Sequence, residues 1–329
     1  MKATEVTAPG EVAVVDCPEP EMRDDHIRIT PIAATLSGRN VRQVYDGRAD
    51  AYPLEKGASA HEIVGKVEET AYTSGQWREA KPSELVTAYL ANPTGLAETL
   101  VVPQAQVYWL PPAENPDLHL VPAARQLGQI IEACNTFPSV ATGAVAVVGQ
   151  GAAGLLFVQL LARLGASTIV VVDPIAARRE AGTRYGATLA LDSGRPASEL
   201  AGEVRGANAG ALVEVVVDTV GSPESLAIAT ELVESEGLLH LFGDARSAVM
   251  PFDIGSITTR NYTVRASGAG IGAVDSFWSP YGNAMNLVLR GEVGIASLIT
   301  HRFALADAGR AFALANSGDD GVLKVGIDY

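Results

Sequence analysis

The sequence predicts an α/β protein in which a doubly wound parallel sheet stands beside a second, mainly β region. Three observations carry this. Residues 143–269 alternate short apolar runs with helical patterns, the signature of parallel strands joined by crossover helices. A Gly-x-Gly-x-x-Gly run at 149–154 follows the first apolar run and opens the first helical pattern. Residues 1–142 differ in texture, being rich in Pro and Thr with short β-like runs such as VAVVD, HIRITPIAAT, EIVGKVEE and ETLVVP.

The middle region reads unit by unit. AVAVVG (144–149) is a buried strand, followed by a helix with Leu155, Val158, Leu161 and Ala162 on one face. TIVVVD (168–173) is a second strand, and Pro174 opens the next helix. LALD (189–192), VEVVVDTVG (213–221), GLLHLFG (237–243) and YTVRASG (262–268) supply four more strands, with SPESLAIATELVES as a helix between the fourth and fifth. Six strands in this order make two mononucleotide halves meeting at a switch point, a Rossmann sheet. The last 60 or so residues carry helices near 280–291 and 306–316 and a terminal strand, VLKVGIDY. The expected domains are therefore 143–269 for the Rossmann sheet, and 1–142 with 270–329 for the other.

Composition bounds the function. A chain of 329 residues has room for two cores. No apolar stretch reaches the roughly 18 residues a membrane span needs, and the N-terminal MKATEVTAPGEV has no apolar signal core. A net charge of -14 repels phosphate backbones, so nucleic acid is excluded as the expected partner. Two cysteines, Cys17 and Cys134, form no disulfide framework and suit a reducing compartment, so a cytoplasmic protein is expected.

The glycine run sits where dinucleotide binding needs it. Gly149 permits a tight turn, Gly151 lets backbone approach a pyrophosphate, and Gly154 lets helix and strand pack closely. Ala152 and Ala153 begin the helix whose free N–H groups face the phosphates. Asp173 ends the second strand, 19 residues beyond Gly154, where an acid meets the ribose 2′-hydroxyl. A carboxylate there favours NAD(H) over the phosphorylated NADP(H). Arg178 and Arg179, in the following helix, are either solvated helix residues or ones that soften this preference. Val220, Gly221, Gly243 and Ser267, at the carboxyl ends of later strands, complete the candidate cofactor set.

The order of motifs resembles the medium-chain dehydrogenase/reductase family, in particular its polyol and sorbitol dehydrogenase-like branch. Ala60-His61-Glu62 with Gly65 and Val67 looks like the family's Gly-His-Glu-x-x-Gly-x-Val segment. Residues 95–103, GLAETLVVP, resemble its Gly-Gly-Phe-Ala-Glu-Tyr-Val-Val-Val-Pro strand, and 216–222, VVDTVGS, its fourth Rossmann strand and cofactor-contacting turn. Residues 297–305, SLITHRFAL, and Lys324-Val325 are similar to the branch's closing segments. The resemblance implies a GroES-like catalytic domain built from both chain ends, NAD(H)-dependent chemistry, and a homodimer, here expected through the sheet edge near 261–280.

The resemblance also implies a catalytic zinc, and here the chain departs. Where the family has Cys-Gly-Ser/Thr-Asp, this sequence reads Ser37-Gly38-Arg39-Asn40, with Ser37 24 residues before His61. A neutral hydroxyl replaces the thiolate, Arg39 replaces the relay hydroxyl, and Asn40 replaces the acid. His61, Glu62 and Glu132 are the remaining candidate ligands, with Cys134 a less suitable substitute. A protonated serine is a poor ligand, so no normal catalytic zinc is expected, and Arg39 is expected beside Glu62. The four closely spaced cysteines of a structural zinc lobe are missing.

These readings make the expected protein an oxidoreductase interconverting a secondary alcohol and a ketone on a polyol, sugar, cyclitol or related small metabolite. Ser37, His61 and Glu62 are the candidate catalytic residues. Tyr45, Arg48, His301 and Arg302 are candidates for the pocket wall. Two alternatives stand beside this one: a zinc-free reductase of an activated double bond, and an inactive NAD-binding subunit.

Overall fold

The computed structural model describes residues 1–47, 51–71, 81, 83–110, 117–138, 143–245, 249–267 and 274–329, with 274–279 described in backbone alone. It divides into two compact units. One comprises Met1–Arg125, Gly272–Leu289 and Gly294–Tyr329; the other comprises Gln126–Ile271 with Arg290–Val293.

The first unit opens with the hairpin β1 (Lys2–Ala8) and β2 (Glu11–Asp16). There follow β3 (His26–Leu36), α1 (Gly38–Tyr45), β4 (Glu62–Ala71), β5 (Leu85–Tyr89), β6 (Leu100–Pro103) and β7 (Val107–Trp109). The helix α2 (Leu120–Cys134) carries the division between the units within it.

The second unit continues with β8 (Ala144–Val148), α3 (Ala152–Leu164), β9 (Thr168–Val172), α4 (Ala176–Arg184), β10 (Leu189–Leu191) and α5 (Ala197–Ala207). Its other half is β11 (Val213–Asp218), α6 (Pro223–Leu232), β12 (Val233–Leu241), α7 (Ile254–Arg260) and β13 (Thr263–Ala266). The chain then closes with α8 (Val274–Leu289), β14 (Ile299–Ala304), α9 (Ala308–Ser317) and β15 (Lys324–Asp328).

The second unit's sheet runs β10-β9-β8-β11-β12-β13, every pair parallel. That is the doubly wound order expected of the Rossmann sheet. Its strands are apolar because helices cover both faces: β8 is buried throughout, and Val148, Val170, Val172, Val216 and Leu239 join one core. The helix after β11 is shorter than its sequence pattern. It ends at Leu232, and Val233 turns extended to pair with Val213. A buried β-branched residue gains more from the sheet than from another helical turn.

The first unit's main sheet runs β14-β15-β3-β4-β5-β7, with β6 also pairing β3. Apart from the parallel β14–β15 pair its neighbours are antiparallel. This is the mainly β domain expected from the texture of the N-terminal region. Here β15, from the chain's end, lies beside β3, from its beginning, with Val325 opposite Leu36 and Gly326 opposite Thr35.

Candidate functional site

The glycine loop is built as the spacing predicts. Gly149 has φ +91, a conformation L side chains rarely adopt. A Cβ on Gly154 would lie 1.9 Å from the Gly149 carbonyl oxygen, so helix and strand can meet only without one. A Cβ on Gly151 would meet nothing within 4 Å. The first two positions are filled by the protein itself; Gly151, which caps the N-terminus of α3, borders open space.

Asp173 is tied directly to this loop. Its Oδ2 accepts the Gln150 backbone N–H at 2.7 Å and its Oδ1 accepts that of Ile175 at 2.9 Å. Two of a carboxylate's roughly four acceptor sites are thus used, and two remain for hydroxyl groups. The bond to Ile175 also explains why α4 begins at Ala176 and not at Pro174. Arg178 is half-buried on α4; it is Arg179 that reaches back, donating to the Asp173 carbonyl at 2.7 Å.

At the end of β11, Asp218 Oδ1 accepts the N–H groups of Val220 and Gly221, fixing the turn named from sequence. A Cβ on Gly243 would sit 2.7 Å from the Val220 backbone, so two strand ends touch there. Ser267 is tied to His240, with Oγ and Nε2 2.6 Å apart. Sequence reasoning missed Gln150. Its buried amide donates to the Val147 and Gly149 carbonyls at 2.9 Å and braces the loop from beneath.

The first unit holds a different kind of site. Antiparallel register places Thr35 opposite Glu62, and Glu62 opposite Tyr89, in one row across β3, β4 and β5. Glu62 is buried and fully engaged. Its Oε2 accepts from Thr35 Oγ1 at 2.8 Å and from Lys324 Nζ at 3.2 Å; its Oε1 accepts from Arg125 Nη1 at 3.3 Å. Burial acts to raise its pKa, but Lys324, His61 and Arg125 outweigh burial and hold the carboxyl far below the usual range. The Arg125 guanidinium lies 3.7 Å from the centroid of the Tyr89 ring.

His61 sits at the start of this row. Its Nε2 is 3.6 Å from Glu62 Oε1 and 3.2 Å from Arg125 Nη1, and its Nδ1 is 2.9 Å from Asn40 Nδ2. Burial lowers its pKa, and Arg125 and Lys324 add to this against the opposing pull of Glu62, so the ring is neutral near pH 7. Ser37 is the N-cap of α1. Its hydroxyl accepts from the Asn40 backbone N–H at 3.3 Å, while Asn40 Oδ1 accepts from the Ser37 backbone N–H at 3.0 Å, a reciprocal capping box.

Several sequence expectations need correction. Arg39 is exposed on α1, and the basic partners of Glu62 are Arg125 and Lys324. Helical geometry turns Arg39 outward because Asn40, Val41 and Val44 form the buried face. Glu132 is exposed on α2, seven residues beyond Arg125 and in the other compact unit. Among the described residues no group of three His, Cys, Asp or Glu side chains is placed to hold a metal ion.

Cys134 is buried, its thiol pushed up to about 12, which leaves no thiolate at neutral pH. Tyr45 packs into the first unit's core, His301 Nε2 lies 3.2 Å from Asp320 Oδ2, and Arg302 pairs with Asp117 at 2.6 Å. Arg48 lies outside the described residues. Arg125 was not foreseen. Its one sequence signal is a single basic residue in a helix, LVPAARQLGQIIEAC, that is otherwise nearly uncharged.

A doubly wound sheet with this loop, in a chain whose other unit is mainly β, is the architecture of medium-chain dehydrogenases/reductases. Comparison with known proteins makes this specific. Residues 152–287 match the family model described as zinc-binding dehydrogenase. An L-threonine 3-dehydrogenase of Streptomyces avermitilis is 26% identical, covering 100% of this chain and 99% of its own length. A D-xylulose reductase A of Aspergillus fumigatus is 25% identical, covering 94% and 91%. An alcohol dehydrogenase of E. coli CFT073, solved with NADH, has the same fold with a TM-score of 0.83 at 18% identity, covering 100% and 99%. The chain is thus similar over its length to dehydrogenases and reductases of this type, and its fold is theirs.

Proposed function

We propose that this oxidoreductase interconverts a secondary alcohol and a ketone on a polyol, sugar, cyclitol or related small hydroxylated molecule, with NAD(H) as hydride carrier and without a catalytic zinc. The cofactor supplies the hydride; the chain positions the reacting carbon and manages charge on its oxygen. The observation that carries the reading is the union of Asp173 with the glycine loop: a fixed carboxylate hydrogen-bonded to Gln150, beside the open space at Gly151. Negative charge there accepts ribose hydroxyls and repels a 2′-phosphate. Val220, Gly221, Gly243 and Ser267 complete the cofactor's contact set, with Arg178 at its edge.

The donor set around His61 does not fit zinc. Glu62 already receives three donors, two of them cations. A unit charge at 4 Å from another costs about 4 kcal/mol at an effective dielectric near 20, and a dication here would face both Arg125 and Lys324. Ser37 offers a hydroxyl engaged in capping, and Glu132 is exposed. Ser37 is the half-buried hydroxyl of the set and, with its own proton on Asn40 Oδ1, is assigned to accept a hydrogen bond from the substrate hydroxyl, with His61 and Glu62 setting the electrostatics behind it.

The subunit is assigned as a homodimer paired through β13, the edge strand of the doubly wound sheet, whose four residues are all exposed. Among the described residues no helix is long and apolar enough to cross a membrane.

Calorimetry with NADH and NADPH, elemental analysis, and turnover on a panel of polyols and the matching ketones test this together. Tighter NADPH binding, one zinc per subunit needed for turnover, or reduction of enones in place of ketones would each overturn its part. NADH binding with no turnover would make the chain an inactive subunit.

A further inference from the structure

Asn40 stands where the resemblance leads one to expect an acid, and its amide is not free to turn. The Ser37 backbone N–H can only donate, and it points at Asn40 Oδ1 from 3.0 Å. Ser37 Oγ donates to the same oxygen at 2.8 Å. The amide nitrogen, Nδ2, must therefore face the other way, where it meets two acceptors: His61 Nδ1 at 2.9 Å and Ser59 Oγ at 3.2 Å. Ser59 is available as an acceptor because its own proton goes to Gln43 Oε1. Both hydrogens of Nδ2 are used, and a flipped amide would set a donor against a donor at the Ser37 backbone.

This orientation decides the histidine. A nitrogen that accepts from Nδ2 has a lone pair, so Nδ1 of His61 carries no proton. A neutral imidazole then carries its proton on Nε2. Two neighbours test this. Arg125 Nη1, which can only donate, lies 3.2 Å from Nε2 and 3.3 Å from Glu62 Oε1, so the Nε2–H tautomer requires its protons to turn to the carboxylate. Glu62 Oε1 is also the acceptor on the Nε2 side, 3.6 Å away. Arg125 bonds this oxygen directly, while His61 faces it from beyond hydrogen-bond distance. The opposite tautomer would put the Nδ1 proton against the Nδ2 protons at the shorter, 2.9 Å contact.

We propose that Asn40 is a positioning residue that locks His61 in the Nε2–H tautomer, converting a histidine that could ligate a metal into a neutral hydrogen-bond donor. Metal-binding histidines usually donate their remote ring N–H to a carboxylate or carbonyl, leaving the other nitrogen's lone pair for the metal. Here the remote partner is a donor, so the lone pair is spent on Asn40. The inference deepens the zinc-free reading of the same site and rests on it. His61 can donate a hydrogen bond from Nε2 and can accept none there. The link from Ser37 through Asn40 carries orientation and no proton, because an amide has none to relay at neutral pH.

The test is the nitrogen spectrum of the whole protein labelled with [15N]histidine, recorded by long-range 1H–15N correlation at neutral pH, with His61 assigned from the signal lost in His61→Gln. The expected wild-type pattern is a protonated Nε2 and a lone-pair Nδ1. Asn40→Asp, nearly the same size, offers Nδ1 an acceptor, so the two nitrogen signals should exchange roles. A wild-type spectrum with the proton on Nδ1 overturns the proposal, as does an Asn40→Asp spectrum unchanged from wild type. Should Asn40→Asp fail to fold, the wild-type pattern alone decides. Finding one zinc per subunit would instead overturn the zinc-free reading, and elemental analysis of the NMR sample separates the two failures.

Discussion

The glycine loop and the Glu62 cluster solve opposite problems. The loop is made of backbone and empty space: Gly149 and Gly154 allow close packing, and Gly151 leaves room. Its parts lie within 149–173 of the sequence, plus turns at the ends of neighbouring strands. The cluster is made of charge: one buried carboxylate between Arg125, Lys324, Thr35 and His61, gathered from positions up to 289 residues apart (324 less 35). A site made of space tolerates small changes of stability and loses binding; a site made of buried charge loses stability when one member goes.

The largest expected effect tests the second half of that contrast. Glu62→Ala leaves two buried cations facing each other and should cost about 3–5 kcal/mol, read from urea unfolding. A loss under about 1 kcal/mol would mean that water or another group takes over the carboxylate's task, and the cluster would not differ in kind from a surface ion pair.

Gly151→Val tests the first half. The fold should stay within about 0.5 kcal/mol, because a Cβ meets nothing. NADH binding should weaken by at least about 100-fold, on the order of 3 kcal/mol, because the side chain enters the pyrophosphate's space. Normal affinity by calorimetry would move the phosphate site elsewhere. A milder change sharpens the same point. Asp173→Ala should weaken NADH by about 1–2 kcal/mol and narrow its advantage over NADPH, since one charge-assisted hydrogen bond is lost.

The smallest expected effect concerns pH. His240, buried on β12, has its pKa lowered to about 4 by burial and then by Arg265. The fold favours the neutral ring, so this contribution is whole above the unfolded value near 6.5. It is lost as pH falls from there through about 4, on the order of 1–2 kcal/mol. Wild type should lose more stability than His240→Gln between pH 7 and 4.5, followed by thermal melting. His61 acts in the same direction, and Glu62 adds its own loss only below the ordinary carboxylate range. Equal losses in wild type and His240→Gln would show that the ring is hydrated in the folded state.

Periodicity and glycine spacing were enough to read the doubly wound sheet, its strand order and the phosphate loop, because each is a local matter: which residues are apolar, which lack a Cβ, and how far the acid follows. The helix after β11 was read too long for the same reason, since the gain Val233 makes beside Val213 is not local. Ser37, His61 and Glu62 were named, but their partners were not. Glu132 looked like a ligand from its position in the chain and is exposed, while Arg125, about two turns earlier on α2, holds Glu62.

Residue types and their spacing therefore carried the family resemblance, the fold class and the glycine loop. They also showed that the thiolate and acid of the usual metal motif had become Ser37 and Asn40. Only the folded chain brought Arg125 and Lys324 to Glu62 and set the Asn40 amide between Ser37 and His61. The physical reason is range. A glycine's freedom and a strand's apolarity belong to the residue itself, whereas a buried charge takes its meaning from whichever partners the sheet register brings within about 3 Å, and register joins β15 to β3 across nearly the whole length of the chain.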